Sequence, residues 1–261
     1  MGDASGPWEI VESLTRWAEG TPWCDWLELA GSLGRGAGDA LSDIDAGLGV
    51  ELDDGASYED RRDAALAAAR TFAVVADEHI QHLGSPERPA DHLVVQYADG
   101  RQLSLVVTPA ENRPGLPPGA KALLDRSGRL SQPYEPPVLR ATDEQRREWA
   151  FLSWWALSDV AKHAGRGRVW RALEALHEAR TGAWRLHAAV AGIDYPSFGA
   201  VSAENADVPA PAGIELAVPS AAAPDALFAA ARALAVVLEP LTAPYHVDGV
   251  RAEALRRLAA G

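Results

Sequence analysis

The sequence predicts an α+β protein, with a small mixed sheet backed by helices in residues 1–140 and an α-helical bundle in residues 141–261. Residues 92–97 and 102–108 alternate or run apolar around an Ala-Asp-Gly-Arg turn, which is typical of an antiparallel β-hairpin. Residues 109–140 hold seven prolines, so they cannot be regular throughout and are a candidate crossing between domains. Long apolar segments follow this crossing and predict helices.

The apolar pattern of the first domain predicts helices that alternate with short strands. Trp8, Val11 and Ala18 fall on one face of a helix, and Ser57 is a suitable N-cap for a later one. The predicted elements are a helix at 8–18, strands at 26–30 and 42–52, a helix at 57–75, strands at 92–97 and 102–108, and a short segment at 121–124.

The second domain is predicted to be mainly helical. Thr142 and Gln145 form a capping-box pattern, in which each side chain can accept a hydrogen bond from the other residue's backbone N–H. Residues 194–220 are rich in proline and alanine, and they predict a long loop. The predicted helices are one that starts at Thr142 and others at 169–191, 224–241 and 250–259.

The most informative pattern is LAGSLGRGAGDALSDIDAGLGV, at residues 29–50. Gly31 and Ser32 begin a glycine-rich loop whose backbone N–H groups could bind a phosphate. Asp43 and Asp45 follow at the start of an apolar strand, where side chains two residues apart point to the same face. Two carboxylates held this close repel each other unless a cation lies between them. The pattern therefore indicates a metal-assisted nucleotide site.

These four residues resemble the pattern of the polymerase-beta-like nucleotidyltransferase superfamily, in which Gly-Ser is followed about ten residues later by Asp-x-Asp. The added Arg35-Gly36 and Ser42 resemble the aminoglycoside nucleotidyltransferase branch. The alternative is a glycine-rich turn followed by a solvated acidic strand start. The resemblance implies that the predicted sheet is a nucleotidyltransferase sheet.

The resemblance also implies roles for individual residues. Asp43 and Asp45 are the implied catalytic residues and Mg²⁺ ligands, and ATP or another nucleoside triphosphate is the implied co-substrate. The residues implied to bind the nucleotide are Gly31, Ser32, Arg35, Ser42, Lys162 and Arg166. The alternatives are a solvated loop charge for Arg35 and, for Lys162 and Arg166, cations that complement the dipole at a helix end.

A third carboxylate on a later strand is a further implication, because in the resembling family it completes a metal site and can deprotonate the attacking hydroxyl. The equivalent strand here is 102–107, where the aligned residue is Ser104 or Gln102. Neither can act as an anionic ligand or a general base at neutral pH. Carboxylates that could substitute are Asp91, Glu78, Glu148 and Asp159. The first two, like His92, are expected to be plain surface residues.

Composition limits the classes of partner. A net charge of −13 and a pI of about 4.9 argue against a nucleic-acid binder and favour a cationic small molecule, although acidity can also simply keep a protein soluble. The single cysteine, Cys24, excludes an internal disulfide framework and fits a reducing cytosol. No run of 18 apolar residues is present. We therefore expect a cytoplasmic monomer or homodimer without nucleic-acid or membrane partners.

The function implied by the resemblance is a Mg²⁺-dependent nucleotidyltransferase. It would move AMP from ATP onto a hydroxyl of a small polar acceptor, such as an aminoglycoside antibiotic, and release pyrophosphate. The alternative is a catalytically impaired nucleotide-binding protein with a regulatory role, which the missing third carboxylate favours. A protein-modifying transferase of the toxin–antitoxin kind is less favoured, because those proteins are usually shorter and lack a long C-terminal bundle.

Overall fold

The computed structural model describes residues 5–52, 55–136 and 138–261. Contacts divide the chain into two compact units, Met1–Glu135 and Pro136–Gly261. Within the described ranges, the first unit contains a six-stranded mixed sheet with helices, and the second is helical, so the predicted fold class is confirmed. The domain boundary predicted at residue 140 stays a prediction. Residues 1–4, 53, 54 and 137 of the predicted domains lie outside the described residues.

One sheet organises the first unit, with strands in the order β3-β4-β5-β2-β1-β6. Strands β2 and β5 run parallel, and the other neighbouring pairs run antiparallel, including the predicted β4–β5 hairpin. The elements in chain order are α1 (Ser5–Gly20), β1 (Cys24–Leu29), α2 (Gly31–Gly34), β2 (Ile44–Val50), α3 (Tyr58–Ala69), β3 (Val75–His82), β4 (Asp91–Tyr97), β5 (Gln102–Pro109) and β6 (Lys121–Asp125).

The two faces of this sheet differ in composition. One face, the apolar face, packs against α1 and α3 through buried residues such as Ile44, Leu103 and Leu93. Because side chains alternate along a strand, the intervening residues lie on the opposite face. We call this second face the polar face, and the residues on it include Trp26, Glu28, Asp45, His92 and Ser104.

The helix predicted at 57–75 is shorter than expected. Its N-cap is confirmed, because the Ser57 hydroxyl accepts a hydrogen bond from the backbone N–H of Asp60 and the Asp60 side chain accepts one from Ser57. The helix ends at Ala69, however, and Val75 begins β3 instead. This edge strand reads VADEHIQH and is mostly exposed, and its sequence lacks the apolar character by which strands are recognised.

The second unit begins with the predicted capping box, in which the hydroxyl of Thr142 accepts from the N–H of Gln145. The loop predicted at 194–220 is partly wrong, because it contains α6 and short 3₁₀ turns. Such one-turn segments are too short to show a helical period. The helices are α4 (Asp143–Ala164), α5 (Val169–Val190), α6 (Ala200–Asn205), α7 (Pro224–Thr242) and α8 (Asp248–Ala259).

Helix α7 is, among the described helices, the one long and apolar enough to cross a membrane by length and composition. Half of its most apolar stretch is buried within the helical unit, where Leu227, Leu234 and Leu238 are fully enclosed in the core. A helix that packs in a protein core can have the same length and apolar composition as a helix that crosses a membrane.

We predict that Gly49→Ala destabilises the first unit. An added Cβ would overlap the indole ring of Trp26, which is buried and donates from Nε1 to the carbonyl oxygen of Ala110 at 3.2 Å. Overpacking of this kind lowers the free energy of unfolding by about 1–3 kcal/mol. Urea unfolding would measure this. Gly20→Ala is the control, because no atom lies within 4 Å of the added group, and equal losses in the two variants would contradict the prediction.

Candidate active site

Backbone hydrogen bonds fix the start of the glycine-rich loop beside the acidic strand. The N–H of Ala30 donates to the carbonyl oxygen of Asp45 at 2.8 Å, immediately before the loop. The N–H of Gly34 then donates to the carbonyl oxygen of Ala30 at 2.8 Å and closes the short helix α2. The loop therefore leaves β1 next to the first residues of β2.

Gly31 packs directly against the carboxylate of Asp45. Its φ of +61° lies in the left-handed region, which residues with a side chain adopt at a cost. A Cβ at this position would also overlap Oδ2 of Asp45 and lie 3.1 Å from the Cβ of that residue. Two independent constraints, the backbone conformation and the lack of space, thus require glycine at position 31. The structure also brings two of the predicted site residues, Gly31 and Asp45, into contact.

Two serines from opposite ends of the loop meet. The Ser32 hydroxyl donates to the Ser42 hydroxyl, with 2.9 Å between their oxygens. The same Ser42 oxygen accepts from the backbone N–H of Asp39 at 2.9 Å. The structure therefore brings Ser32 and Ser42 together, and it holds the loop in one closed turn ahead of Asp43.

Asp43 and Asp45 interact electrostatically. Asp43 is exposed and Asp45 is half-buried. Burial raises the pKa of the Asp45 carboxyl, a hydrogen bond from Ser104 lowers this pKa, and the negative charge of Asp43 raises it. The positive charges of His92 and Arg35 act in the lowering direction. The two carboxylates therefore repel each other.

Ser104 lies beside Asp45 on the neighbouring strand. The two residues are direct partners in the parallel β2–β5 pairing. The Ser104 hydroxyl oxygen also lies 2.8 Å from Nε2 of His92, so His92 is not the plain surface histidine that was expected. The residue beside Asp45 on β5 is thus a serine, and its hydroxyl group lies between the Asp45 carboxylate and the His92 ring.

Two of the carboxylates considered as substitutes lie on the wrong face of the sheet. Asp91 is buried on the apolar face of β4 and forms an ion pair with Arg62 at 3.3 Å, so the expectation of a surface residue is wrong. Glu78 lies on the same face of the edge strand β3, where it forms an ion pair with Arg70. Neither carboxylate points toward the face that carries Asp45.

The remaining predicted residues belong to the second unit. Lys162 donates from Nζ to Oδ1 of Asp159 at 2.5 Å within α4, and Arg166 is exposed in the turn that follows this helix. Glu148 lies on the same helix. The structure describes these residues within their own unit, so their contact with a nucleotide stays a prediction.

Sequence reasoning missed a buried ion pair on the polar face. Glu28 lies on β1 with a side chain only 6% exposed, and its Oε2 is 2.5 Å from Nη2 of Arg113. Burial raises the pKa of Glu28, and the hydrogen bond and charge of Arg113 oppose this rise. The sequence feature that could have revealed Glu28 is its position as an acidic residue inside a mostly apolar strand, just before the Gly-Ser loop.

A cavity of about 460 Å³ lies on the polar face over β1, β2 and β5. Asp45 and Ser104 line one part of it, and Glu28 and Arg113 line another, with Gly47 between the two parts. Its volume is within the range of about 300–1,000 Å³ that is usual for small-molecule sites. The predicted metal ligand Asp45 and the unpredicted ion pair therefore share one cavity.

Asp43 and Asp45 have the donor chemistry that Mg²⁺ prefers. This ion is commonly bound through one or two carboxylates together with the phosphates of a substrate. Among the described residues, no group of three or more His, Cys, Asp or Glu could hold a metal. The two carboxylates therefore fit part of the ligand set of a Mg²⁺ ion, and they do not form a cage made entirely of protein ligands.

The similarity of this chain to known proteins lies among solved structures. No protein-family model and no curated protein matches this chain. Among solved structures, the chain is similar to an aminoglycoside 6-adenyltransferase from Bacillus subtilis, with 14% sequence identity and a TM-score of 0.39 over 98% of this chain and 92% of that one.

We predict that Gly31→Ala is more damaging than Gly36→Ala. Both residues have positive φ values, +61° and +75°, so both variants carry similar backbone strain. Only the first overlaps the carboxylate of Asp45, because the atom nearest to a Cβ at position 36 is Nζ of Lys121 at 4.0 Å. We expect an extra loss of about 1–3 kcal/mol in the free energy of unfolding. Equal losses in urea titrations would show that the contact with Asp45 is unimportant.

Proposed function

We propose that this chain is a nucleotidyltransferase that moves AMP from ATP onto a hydroxyl of a small polar acceptor and releases pyrophosphate. The observation that carries this proposal is the contact between Gly31 and the carboxylate of Asp45. This contact puts a loop suited to phosphate next to a carboxylate pair suited to Mg²⁺. Metal-assisted phosphoryl chemistry needs both in one place, because the two carboxylates would hold the ion and the ion would stabilise the charge of the phosphates that the loop binds.

The loop would hold the triphosphate. Its backbone N–H groups and the hydroxyls of Ser32 and Ser42 are the proposed donors to the β- and γ-phosphates, and Gly31 lets the backbone approach closely. Arg35 would neutralise phosphate charge, which is consistent with its positive charge lowering the pKa of Asp45. Lys162 and Arg166 are proposed as further nucleotide contacts.

Asp43 and Asp45 would hold Mg²⁺ bound to the triphosphate. When bound, this ion would offset the negative charge that builds up on the leaving pyrophosphate. The contribution of the protein is positioning, since the loop and the two carboxylates orient the α-phosphate for in-line attack by the acceptor hydroxyl.

The acceptor is proposed to be cationic, such as an aminoglycoside, which would make antibiotic resistance the biological outcome. The net charge of −13 supports this proposal, since negative charge concentrates cationic ligands. We propose a cytoplasmic monomer or homodimer without nucleic-acid or membrane partners. Cys24 is consistent with a structural role, because burial raises the pKa of its thiol to about 12 and keeps it protonated.

A nucleotide-binding protein without transferase activity, acting as a regulator, is the second candidate. The observation that favours it is Ser104, which pairs with Asp45 and is, with Gln102, one of the two positions that the resemblance aligns with the third carboxylate. A serine hydroxyl cannot accept the proton of an attacking hydroxyl at neutral pH. Nucleotide binding without turnover would distinguish this candidate from the first.

We predict that Asp43→Asn/Asp45→Asn abolishes Mg²⁺-dependent binding of ATP in calorimetry, because both proposed metal ligands lose their charge. Pyrophosphate release with a panel of aminoglycosides should disappear with it. Glu59→Gln/Asp63→Asn is the control, because these two exposed residues of α3 lose the same two charges away from the site. Metal-dependent binding that survives in the double variant would refute the proposed site, and wild-type binding without pyrophosphate release would favour the second candidate.

We predict that Ser104→Asp increases acceptor-dependent pyrophosphate release at least about tenfold, because general bases typically contribute about 10²–10⁴-fold. The new carboxylate would stand beside Asp45, where it could accept the proton of the attacking hydroxyl. Gln102→Asp is the matched control, because it adds the same group on the same strand two residues away. A gain in the control variant alone would show that position 104 is not the aligned one.

A further inference from the structure

The hydroxyl group of Ser104 is held against an imidazole nitrogen. Its Oγ lies 2.8 Å from Nε2 of His92. The two residues belong to neighbouring antiparallel strands, where Val94 is the direct partner of Ser104 and His92 lies two residues from Val94 on the same face. A nucleophilic serine needs a base within about 2.6–3.2 Å of its oxygen, so this distance is the one expected of an activated hydroxyl.

Ser104 can also be reached from the cavity. It lines the space of about 460 Å³ on the polar face together with Asp45, so a nucleotide held by Asp45 would lie next to it. Thr108 lines the same cavity, but its hydroxyl donates to the carbonyl oxygen of Pro89 at 3.0 Å, and an amide oxygen does not take up a proton at neutral pH. Of these two hydroxyls, that of Ser104 is therefore the one in contact with a base.

Asp45 completes a chain of three polar side chains. The Ser104 hydroxyl is hydrogen-bonded to the Asp45 carboxylate and contacts His92, and the charges of Asp45 and His92 attract each other. A neutral imidazole with its proton on Nδ1 leaves Nε2 as an acceptor. When Nε2 takes a proton, a nearby negative charge stabilises the imidazolium that forms. Asp45 therefore favours the transfer of the Ser104 proton to His92.

We propose that Ser104 is a nucleophile and that, in the absence of an acceptor, the chain transfers AMP from ATP onto this serine. Oγ of Ser104 forms a bond to the α-phosphorus, and the bond from the α-phosphorus to the oxygen that bridges it to the β-phosphorus breaks. Pyrophosphate leaves with the electron pair of that bond, and the hydroxyl proton passes to Nε2 of His92 and then to solvent. This inference rests on the proposed function for the binding of ATP, and it adds a modification site on the chain itself.

The modified serine would hold AMP inside the cavity, beside Asp45. That nucleotide would occupy part of the space that a second ATP needs, and its phosphate would add negative charge next to the carboxylate. We therefore expect the modified chain to bind ATP at least tenfold more weakly than the unmodified chain, which makes the reaction self-limiting.

The test incubates the full chain with ATP and Mg²⁺ without any acceptor and follows the intact mass of the protein. We expect wild type to gain a single adenylyl group, and peptide mapping by mass spectrometry should locate this group on Ser104. Ser104→Ala should gain no adenylyl group. Wild type that binds ATP but stays unmodified, or that carries the group on Ser32 or Ser42 instead, would overturn the proposal.

The rate of the same modification tests the role of His92. We expect His92→Gln to slow it at least about a hundredfold, because a general base typically contributes about 10²–10⁴-fold. His79→Gln is the matched control and should react as wild type does, because it replaces an exposed histidine on β3, two strands away from Ser104. Thermal unfolding checks that each variant is folded, and His92→Phe, which keeps a ring without a nitrogen, decides the question if His92→Gln does not fold. An unchanged rate in the folded variant would show that His92 does not take the proton, and would overturn the proposed step.

The two proposals fail in different ways. Wild type that releases pyrophosphate with an acceptor, but never carries an adenylyl group on Ser104, would refute self-modification and leave the transferase in place. Wild type that is modified on Ser104, but releases no further pyrophosphate with any acceptor, would refute transfer to a small molecule and leave the nucleophile in place. Wild type that shows no Mg²⁺-dependent binding of ATP and gains no adenylyl group would refute both.

Discussion

The contact between the Asp45 carboxylate and the backbone of Gly31 is the constraint on which the rest of the site depends. It fixes the distance between the loop and the acidic strand, because nothing larger than hydrogen fits between them. It also accounts for the left-handed backbone at the first loop residue and for the hydrogen bond from Ala30 to the carbonyl of Asp45. The start of the loop and the Asp45 carboxylate are thus held in direct contact within the first unit.

Ser104 determines whether the position beside Asp45 on β5 carries a charge. Its hydroxyl contributes a hydrogen bond to Asp45 and meets His92, so the position is polar and connected but carries no negative charge. Removing a carboxylate here weakens repulsion around Asp45 and at the same time removes a proton acceptor. In the proposed transferase, this one residue would therefore affect nucleotide binding and catalysis in opposite directions.

The sequence was most informative where local chemistry alone determines the structure. The caps at Ser57 and Thr142 and the β4–β5 turn were predictable because each depends on residues a few positions apart. Strand β3 could not be recognised, because its stability comes from pairing with β4 and its own composition is polar. The ion pair of Glu28 could not be predicted for a similar reason, since its partner Arg113 is distant in sequence.

The glycines of β2 have a consequence for how this protein can vary. Gly47 and Gly49 have no side chains on the polar face of β2. The side chains of Glu28 and Trp26 from β1 occupy the space next to Gly47 and Gly49, respectively. Each glycine and the large residue above it therefore form a coupled pair. A chain that acquires a side chain at 47 must give up the long acid at 28, so these two positions should covary in divergent relatives.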